Sequence, residues 1–396
     1  MISRFIENRM PSAPLKLIVM DNISELGNEV NDYLVQFRKD NNRPYHDSHA
    51  FEGYSMDSFL VDHRIPRFGS GEAKGILNES IRGKDLYILC DVLDRSKTYE
   101  MYGHKNIYSP DDHYQDLKRM IAAVAGKAHR ITVVMPFMYE GRQHRRNMRE
   151  SLDCALMLEE LAEMGISRVI TFDAHDPTVQ SSAPLIGFDN FTPFYQFLRA
   201  LLGRVGDIKI DKDHLIIVSP DEGALQRAVY FAGVMGVDTG MFYKRRDFTR
   251  LENGKNPIVA HEFLGENVEG KDVIVVDDMI SSGGSMLDTA LKLKKMNAKR
   301  VFICCAFGIF SDGLEMFDEA YKNNVFDLLI TTNLSYRIPE LMGREWYETA
   351  YMGKFLASII DFSNHDLSME QVLTPTEKIK KILEAYNETD STMKIE

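Results

Sequence analysis

Short apolar runs rich in Val, Ile and Leu recur along the chain, each followed by a turn and then a longer amphipathic segment. The clearest runs are 86–90, 131–135, 168–172, 215–218, 273–276, 300–304 and 326–330. Helical spacing of apolar positions fills 151–164, 223–234, 285–296 and 313–323 between them. Strands that are apolar throughout and alternate with helices predict parallel sheets covered on both faces. The fold class is therefore α/β, and two such sheets fit the length better than one. Three regions break the pattern: a polar, Tyr- and His-containing stretch at 40–66, a second at 99–112 read as a loop, and a linker at 362–375 before a final helix over 376–386.

Length and charge narrow this picture. At 396 residues the chain is long enough for two or three domains, each with a core of its own. The net charge is −12 and no block of Lys or Arg interrupts it, which argues against a coat for nucleic acid or anionic membrane. Any anionic ligand must then be met by local basic clusters. Four cysteines (Cys90, Cys154, Cys304, Cys305), none in CxxC spacing, supply neither a disulfide framework nor a cysteine zinc site. No run approaches the length of a membrane span and the first residues lack the apolar core of a signal peptide, so the expected setting is a reducing cytoplasm.

The sharpest motif is 273–285, an apolar strand delivering Asp277 and Asp278, then Met-Ile-Ser281-Ser282-Gly283-Gly284-Ser285 at the mouth of a helix. Adjacent glycines let backbone N–H groups approach a phosphate, and the positive end of the helix dipole favours it there. Ser282 and Ser285 add hydroxyl donors, and the carboxylates suit the hydroxyls of a phosphorylated sugar or a Mg²⁺ shell. An ordinary strand–helix turn with a serine cap remains the plain alternative. It is not a Walker loop, because no Lys follows the second glycine.

Basic residues cluster at Arg142, Arg145, Arg146 and Arg149, and again at Lys244-Arg245-Arg246 ahead of a Gly- and Pro-containing stretch, 247–257, read as a mobile loop. Such cations suit a polyphosphate, the alternative being a solvated basic face. Asp173-Ala-His175-Asp176 and Ser219-Pro-Asp221 end two further strands, where open parallel sheets bind ligands. Gly69-Ser-Gly71 resembles a dinucleotide fingerprint but has the wrong spacing, and His46-Asp-Ser-His49 reads as a solvated loop sooner than a metal site.

Taken in order, these segments resemble ribose-phosphate diphosphokinases, enzymes that make 5-phosphoribosyl 1-diphosphate. The resemblance runs from about residue 16 to about 334 and rests on Arg67-Phe68 with Gly71-Glu72, Glu79-Ser-Ile-Arg-Gly83, Arg142-Gln143, Asp173-Ala-His175, Ser219-Pro-Asp221, Lys244-Arg-Arg246 and the 276–284 loop. It implies two phosphoribosyltransferase-like domains, 1–190 on the nucleotide side and 191–340 with the ribose 5-phosphate loop, followed by a helical extension, 341–396. It implies Asp277, Asp278, Ser281, Ser282, Gly283, Gly284 and Ser285 on ribose 5-phosphate, and Lys244 and Arg246 on the transferring diphosphoryl group. Arg142, Gln143 and His175 would serve ATP, His175 and Asp221 its Mg²⁺, and Phe68, Ser70 and Glu72 the adenine pocket of a neighbouring subunit. A homodimer or higher homo-oligomer follows from that shared pocket.

The chain departs from the family pattern at named positions. Ser70 stands where an aspartate usually reads the adenine amino group, and Ser281 replaces the third aspartate of the ribose-phosphate loop. His144 follows Arg142-Gln143 where an acidic residue is common, and Gly223-Ala224 replaces a Gly-Gly pair. Two rival functions share part of the pattern. A salvage phosphoribosyltransferase needs the 277–285 loop but only one sheet domain, and a non-catalytic regulatory paralogue would have lost the cations that are present here.

Overall fold

The computed structural model describes residues 9–40, 48–146, 148–246, 258–370 and 376–388, without the side chains of 244–246, 258–261, 387 and 388. The chain divides into two compact units. One comprises Met1–Thr192, Asn333–Tyr336 and Tyr351–Leu373; the other comprises Pro193–Thr332, Arg337–Ala350 and Thr374–Glu396. Residues 341–396 are thus divided between the two.

In the first unit, β1 (Leu15–Val19) leads through a short turn into α1 (Ser24–Asp40). A two-residue pair, β2 (His63–Arg64) and β3 (Ile76–Leu77), precedes β4 (Asp85–Leu89). Then come the hairpin β5 (Thr98–Met101) and β6 (His104–Ile107), α2 (Pro110–Val124), β7 (Arg130–Val134), α3 (Asp153–Glu163), β8 (Arg168–Phe172) and β9 (Gly187–Phe191). The sheet is wholly parallel in the order β1-β4-β7-β8-β9. Every residue of β4 is buried, and after Asp85, whose carboxylate pairs with Arg130, it reads as a continuous apolar run.

The 99–112 stretch is not a loop. Tyr102 and Gly103 both take positive φ (50° and 76°), the two-residue turn that matches strand twist, and Pro110 starts α2 behind a Ser109–Asp112 capping box. The hairpin escaped the sequence because its outer residues are polar. Aromatic packing holds it instead: Tyr99 and Tyr108 meet edge to face at 5.0 Å, and the Arg67 guanidinium lies 4.4 and 4.7 Å from their ring centres.

The second unit begins with α4 (Phe194–Arg204), β10 (Leu215–Ser219), α5 (Leu225–Met235), β11 (Asp238–Arg246) and β12 (Ile258–Gly265). It continues with β13 (Asp272–Ile280), α6 (Gly284–Lys295), β14 (Arg300–Gly308), α7 (Glu315–Lys322), β15 (Leu328–Thr332) and β16 (Tyr347–Ala350). Its sheet runs β12-β11-β10-β13-β14-β15-β16, parallel except for the edge strand β12. From β10 the chain winds outward to β11 and then returns to β13 on the other side. The sheet therefore has a topological switch point between β10 and β13, where open α/β sheets form their ligand crevice.

Two helices close the chain's described part. α9 (Thr376–Glu388) belongs to the second unit and packs Ile379, Ile382, Leu383 and Tyr386 into the cluster that includes α4 and α5. α8 (Gly353–Asn364) belongs to the first and lies against α1. Arg38 and Asp361 pair there at 2.6 Å with both side chains essentially inaccessible to water. The guanidinium also donates to Asn364 and stacks over Tyr54, and His365 donates from Nδ1 to the Asp361 carbonyl. The helix at 353–364 lies in the stretch expected as a helical extension, 341–396, but it runs into the 362–375 stretch read as a linker, because Phe362, Ser363 and Asn364 are buried in its last turn.

Two consequences can be measured. Removing one partner of a buried ion pair strands the other charge, so Asp361→Ala should destabilise the first unit by about 3–5 kcal/mol in urea denaturation, whereas the Arg38→Met/Asp361→Leu pair should lie closer to wild type. Asp91, at the end of β4, is buried and accepts the N–H groups of Leu93 and Tyr336, each at 2.8 Å. Burial, reinforced by nearby Asp94, pushes its carboxyl up to about 7 despite those donors. Its folded-state value lies above the unfolded one, so its contribution is greatest below the unfolded value and is lost as pH rises towards about 7. Between pH 5 and pH 7 wild-type stability should fall by roughly 2 kcal/mol relative to Asp91→Asn, measured by urea titration of both proteins.

Candidate active site

At the switch point of the second unit the chain gathers carboxylates. β13 runs on past the acidic pair to Ile280, further than its apolar run suggests, because it stays in register with β14 as far as Gly308. Asp277 and Asp278 therefore sit within the strand, their carboxyl groups near enough to act on one another. Asp278 is 3% exposed, and its N–H donates to Asp277 Oδ1 at 2.8 Å. Burial, then the neighbouring Asp278 and the charge of Asp221, hold the Asp277 carboxyl well above the usual range. Asp221 follows β10, and its Oδ1 accepts the Gly223 N–H at 3.0 Å. Arg227, in the first turn of α5, brings its guanidinium to 3.8 Å from Asp278.

Beyond β13 the turn 281–284 reaches α6. Its shape is fixed by contacts with the β14–α7 connection, where Ile309 and Ser311 donate to the carbonyls of Ile280 and Ser281 at 2.8 and 3.0 Å. Gly283 has φ +96°, and a Cβ there would lie 2.1 Å from the Phe317 ring, so only glycine can occupy the position. Gly284 and Ser285 are exposed, and the first turn of α6 carries no acidic residue and no side-chain cap. The helix start thus presents N–H groups and its positive dipole end in the crevice that holds the carboxylates. Lys244 and Arg246 belong to the end of β11, paired with β12, while their side chains and all of 247–257 lie outside the described residues.

In the first unit the strand-end loops assemble a second group. Asp173 follows β8 with φ +43°, a left-handed conformation unusual for a non-glycine residue, and its N–H donates to Phe191 at 2.8 Å. That backbone strain is a feature no sequence pattern disclosed. His175, exposed, lies beyond it, with the His144 ring 5.4 Å away. His144 and Arg145 reach the Asp176 carboxylate at 3.4 and 3.1 Å, tying the loop after β7 to the loop after β8. Asp176 feels some burial, but the Thr178 hydroxyl and N–H and these two bases outweigh it and hold its carboxyl below the ordinary value. Arg142 and Gln143 are exposed on the same loop, with Arg146 and Arg149 further along it.

Phe68, Ser70 and Glu72 form a separate tight turn between β2 and β3. Phe68 N–H donates to the Glu72 carbonyl at 2.7 Å, Gly71 N–H returns to the Phe68 carbonyl at 2.8 Å, and the Ser70 hydroxyl donates to Glu72 Oε2 at 2.9 Å. Phe68 is half exposed. Arg67, to which the sequence assigned no role, anchors this turn by donating to the Gly71 carbonyl and pairing with Asp116 at 2.7 Å. The 98–107 hairpin supports it from the side, Tyr102 N–H donating to Gly69 at 2.8 Å. Of the set-aside motifs, His49 is an exposed partner of Glu52, and His46 and Asp47 lie outside the described residues. Among the described residues, no three His, Cys, Asp or Glu side chains converge on one point, and no helix is long and apolar enough to cross a membrane.

Comparison with known proteins gives a consistent result. Residues 15–165 match a family model described as the N-terminal domain of ribose phosphate pyrophosphokinase, and residues 197–335 match the phosphoribosyl transferase domain. Among curated relatives, the ribose-phosphate pyrophosphokinase of Vibrio parahaemolyticus is 29% identical over 76% of this chain and 87% of its own. That of Vibrio cholerae is 30% identical over 69% and 79%. The crystal structure of phosphoribosylpyrophosphate synthetase from Mycobacterium smegmatis superposes with a TM-score of 0.67, covering 89% of this chain and 99% of that one at 22% identity, a likeness of fold. Two phosphoribosyltransferase-like domains, each a largely parallel sheet between helices, matched in this order and over this length, place the chain in the ribose-phosphate pyrophosphokinase (diphosphokinase) family.

Proposed function

We propose that this enzyme transfers the diphosphoryl group of ATP to the 1-hydroxyl of ribose 5-phosphate, giving 5-phosphoribosyl 1-diphosphate and AMP. The observation that carries the reading is the switch-point crevice, where Asp277 and Asp278 lie beside a glycine turn that only Gly283 can make. A phosphorylated sugar matches both halves: its hydroxyls donate to the carboxylates, and its 5-phosphate accepts from the N–H groups of 281–285 and from Ser282 and Ser285. The 1-hydroxyl oxygen bonds to the β-phosphorus as the bond from that phosphorus to the α-phosphate oxygen breaks. The hydroxyl proton passes to solvent and AMP leaves.

Such a transfer asks the protein for position and charge. Lys244 and Arg246 are assigned to the diphosphoryl group, Arg142, Gln143 and His175 to the nucleotide, and Phe68, Ser70 and Glu72 to the adenine pocket of a second copy in a homo-oligomer. The donor set suits Mg²⁺, which takes oxygen ligands and is commonly held by one or two carboxylates with substrate phosphates rather than by a protein cage. The crevice carboxylates Asp221, Asp277 and Asp278 offer oxygens of that kind. Asp221 would supply an oxygen and His175 an imidazole nitrogen to the ion, whose chemistry would be charge neutralisation on the phosphates. The −12 net charge and the absence of a basic block leave nucleic acid out of the reading, and a cytoplasmic setting suits four buried thiols.

The rival readings lead to different products. A salvage transferase would consume 5-phosphoribosyl 1-diphosphate, and a regulatory paralogue would turn over nothing. Purified protein with ribose 5-phosphate, ATP and Mg²⁺ should release AMP, followed by a coupled assay; background AMP alone from folded protein, with other nucleotides also tried, would sink the proposal. Lys244→Ala should lower turnover by roughly two orders of magnitude or more with little change in ribose 5-phosphate affinity, and a near-wild-type rate would remove Lys244 from the mechanism. Ser70 spends its hydroxyl on Glu72 and offers no carboxylate to an exocyclic amino group. GTP should therefore serve as a donor within about tenfold of ATP, and Ser70→Asp should raise the ATP-to-GTP ratio of kcat/KM by about tenfold.

A further inference from the structure

Arg227 occupies the first turn of α5, the end of a helix where the dipole disfavours a cation, and no acidic side chain shares that turn. Its side chain is nonetheless only 11% exposed and lies towards the crevice instead of water. One arm of the guanidinium, Nη2, is 3.8 Å from Asp278 Oδ2, and the other, Nη1, donates to the Gly223 carbonyl at 3.4 Å. Gly223 in turn donates its N–H to Asp221. A single side chain thus bridges the turn that closes β10 and the carboxylate carried by β13, the two strands on either side of the switch point. A residue placed against its helix dipole and drawn between two acidic loops is explained by those loops.

We infer that Arg227 is a positioning residue for ribose 5-phosphate: it fixes the orientation of Asp278 and couples that carboxylate to the Asp221 turn. The inference rests on the proposed function and deepens it, since it names a determinant of sugar binding that the motif itself does not contain. A nearly buried carboxylate with another beside it needs a counter-charge to keep both oxygens available as acceptors. The planar fork matters as much as the charge, because two acceptors on different loops must be reached at once, which a single ammonium does poorly. At 3.8 Å the Arg227–Asp278 contact is an ion pair and not a hydrogen bond, so the guanidinium acts on Asp278 through its charge while its other arm is held by Gly223.

The test is ribose 5-phosphate binding by titration calorimetry, alongside steady-state kinetics, on the full-length wild type, Arg227→Gln and Arg227→Lys. Arg227→Gln should weaken ribose 5-phosphate binding and raise its KM by about tenfold, consistent with losing one charged contact. The KM for ATP and the thermal midpoint should stay close to wild type, and Arg227→Lys should recover only part of the loss. Unchanged ribose 5-phosphate binding in Arg227→Gln, with an active wild type, overturns the inference and leaves the proposed function standing. So does a joint fall in both affinities and the thermal midpoint, which marks a purely structural arginine. A wild type that neither binds ribose 5-phosphate nor releases AMP removes the proposed function and this inference together.

Discussion

The constraint on which the second unit turns is the repulsion among carboxylates at one buried place. Asp277 and Asp278 are consecutive on a strand, and Asp221 adds its field from the neighbouring strand end. In a sheet core such a group would favour protonation and loosen the packing around it. Here the surroundings answer it locally. The Asp278 N–H donates to Asp277, the Arg227 guanidinium faces Asp278, and the start of α6 brings its positive end to the same crevice. What remains is an excess of acceptors, the property that a polyhydroxyl ligand or a divalent cation relieves on binding.

The first unit has an opposite problem, since its exposed loop after β7 carries Arg142, Arg145, Arg146 and Arg149. Such a loop would scatter its charges into solvent unless something aligned them. Asp176 supplies part of that alignment by accepting from His144 and Arg145, which draws the basic loop to the strained Asp173–His175 corner. The acidic net charge of the chain and its claim on anionic ligands are therefore compatible. Net charge governs the far field, but binding is decided over a few ångströms, within a Debye length.

Legibility in the sequence followed a physical divide. Strands buried on both faces, such as β4 and β10, announced themselves as continuous apolar runs, and with them the α/β class. The crevice motif was legible because it is contiguous: one strand, one turn, one helix. Elements stabilised by polar burial were not. The 98–107 hairpin is held through stacking on Arg67 and carries no periodicity that a pattern search detects, and the end of α8 is set by the Arg38–Asp361 pair and the Asn364 and His365 contacts, which apolar spacing does not show. Arg227 was invisible for a different reason. Its meaning lies in a contact between residues far apart in sequence, and only the placement of β13 beside β10 creates it.

The hairpin also bears on the turn at 67–72, which the proposed function assigns to the nucleotide. That turn is short and exposed, and its internal hydrogen bonds alone would leave its orientation free. Arg67 ties it to Asp116 on α2, and Tyr102 ties Gly69 to the hairpin tip, so two independent elements fix one small loop. A Cβ on Gly71 would meet Met101 at 2.7 Å, a second sign that hairpin and turn are packed as one piece. The turn that departs from the family pattern at Ser70 is thus the turn braced by the 98–107 hairpin. A loop held this firmly can keep Phe68 and Glu72 in place without the aspartate's help, because preorganisation lowers the entropy that each remaining contact must overcome.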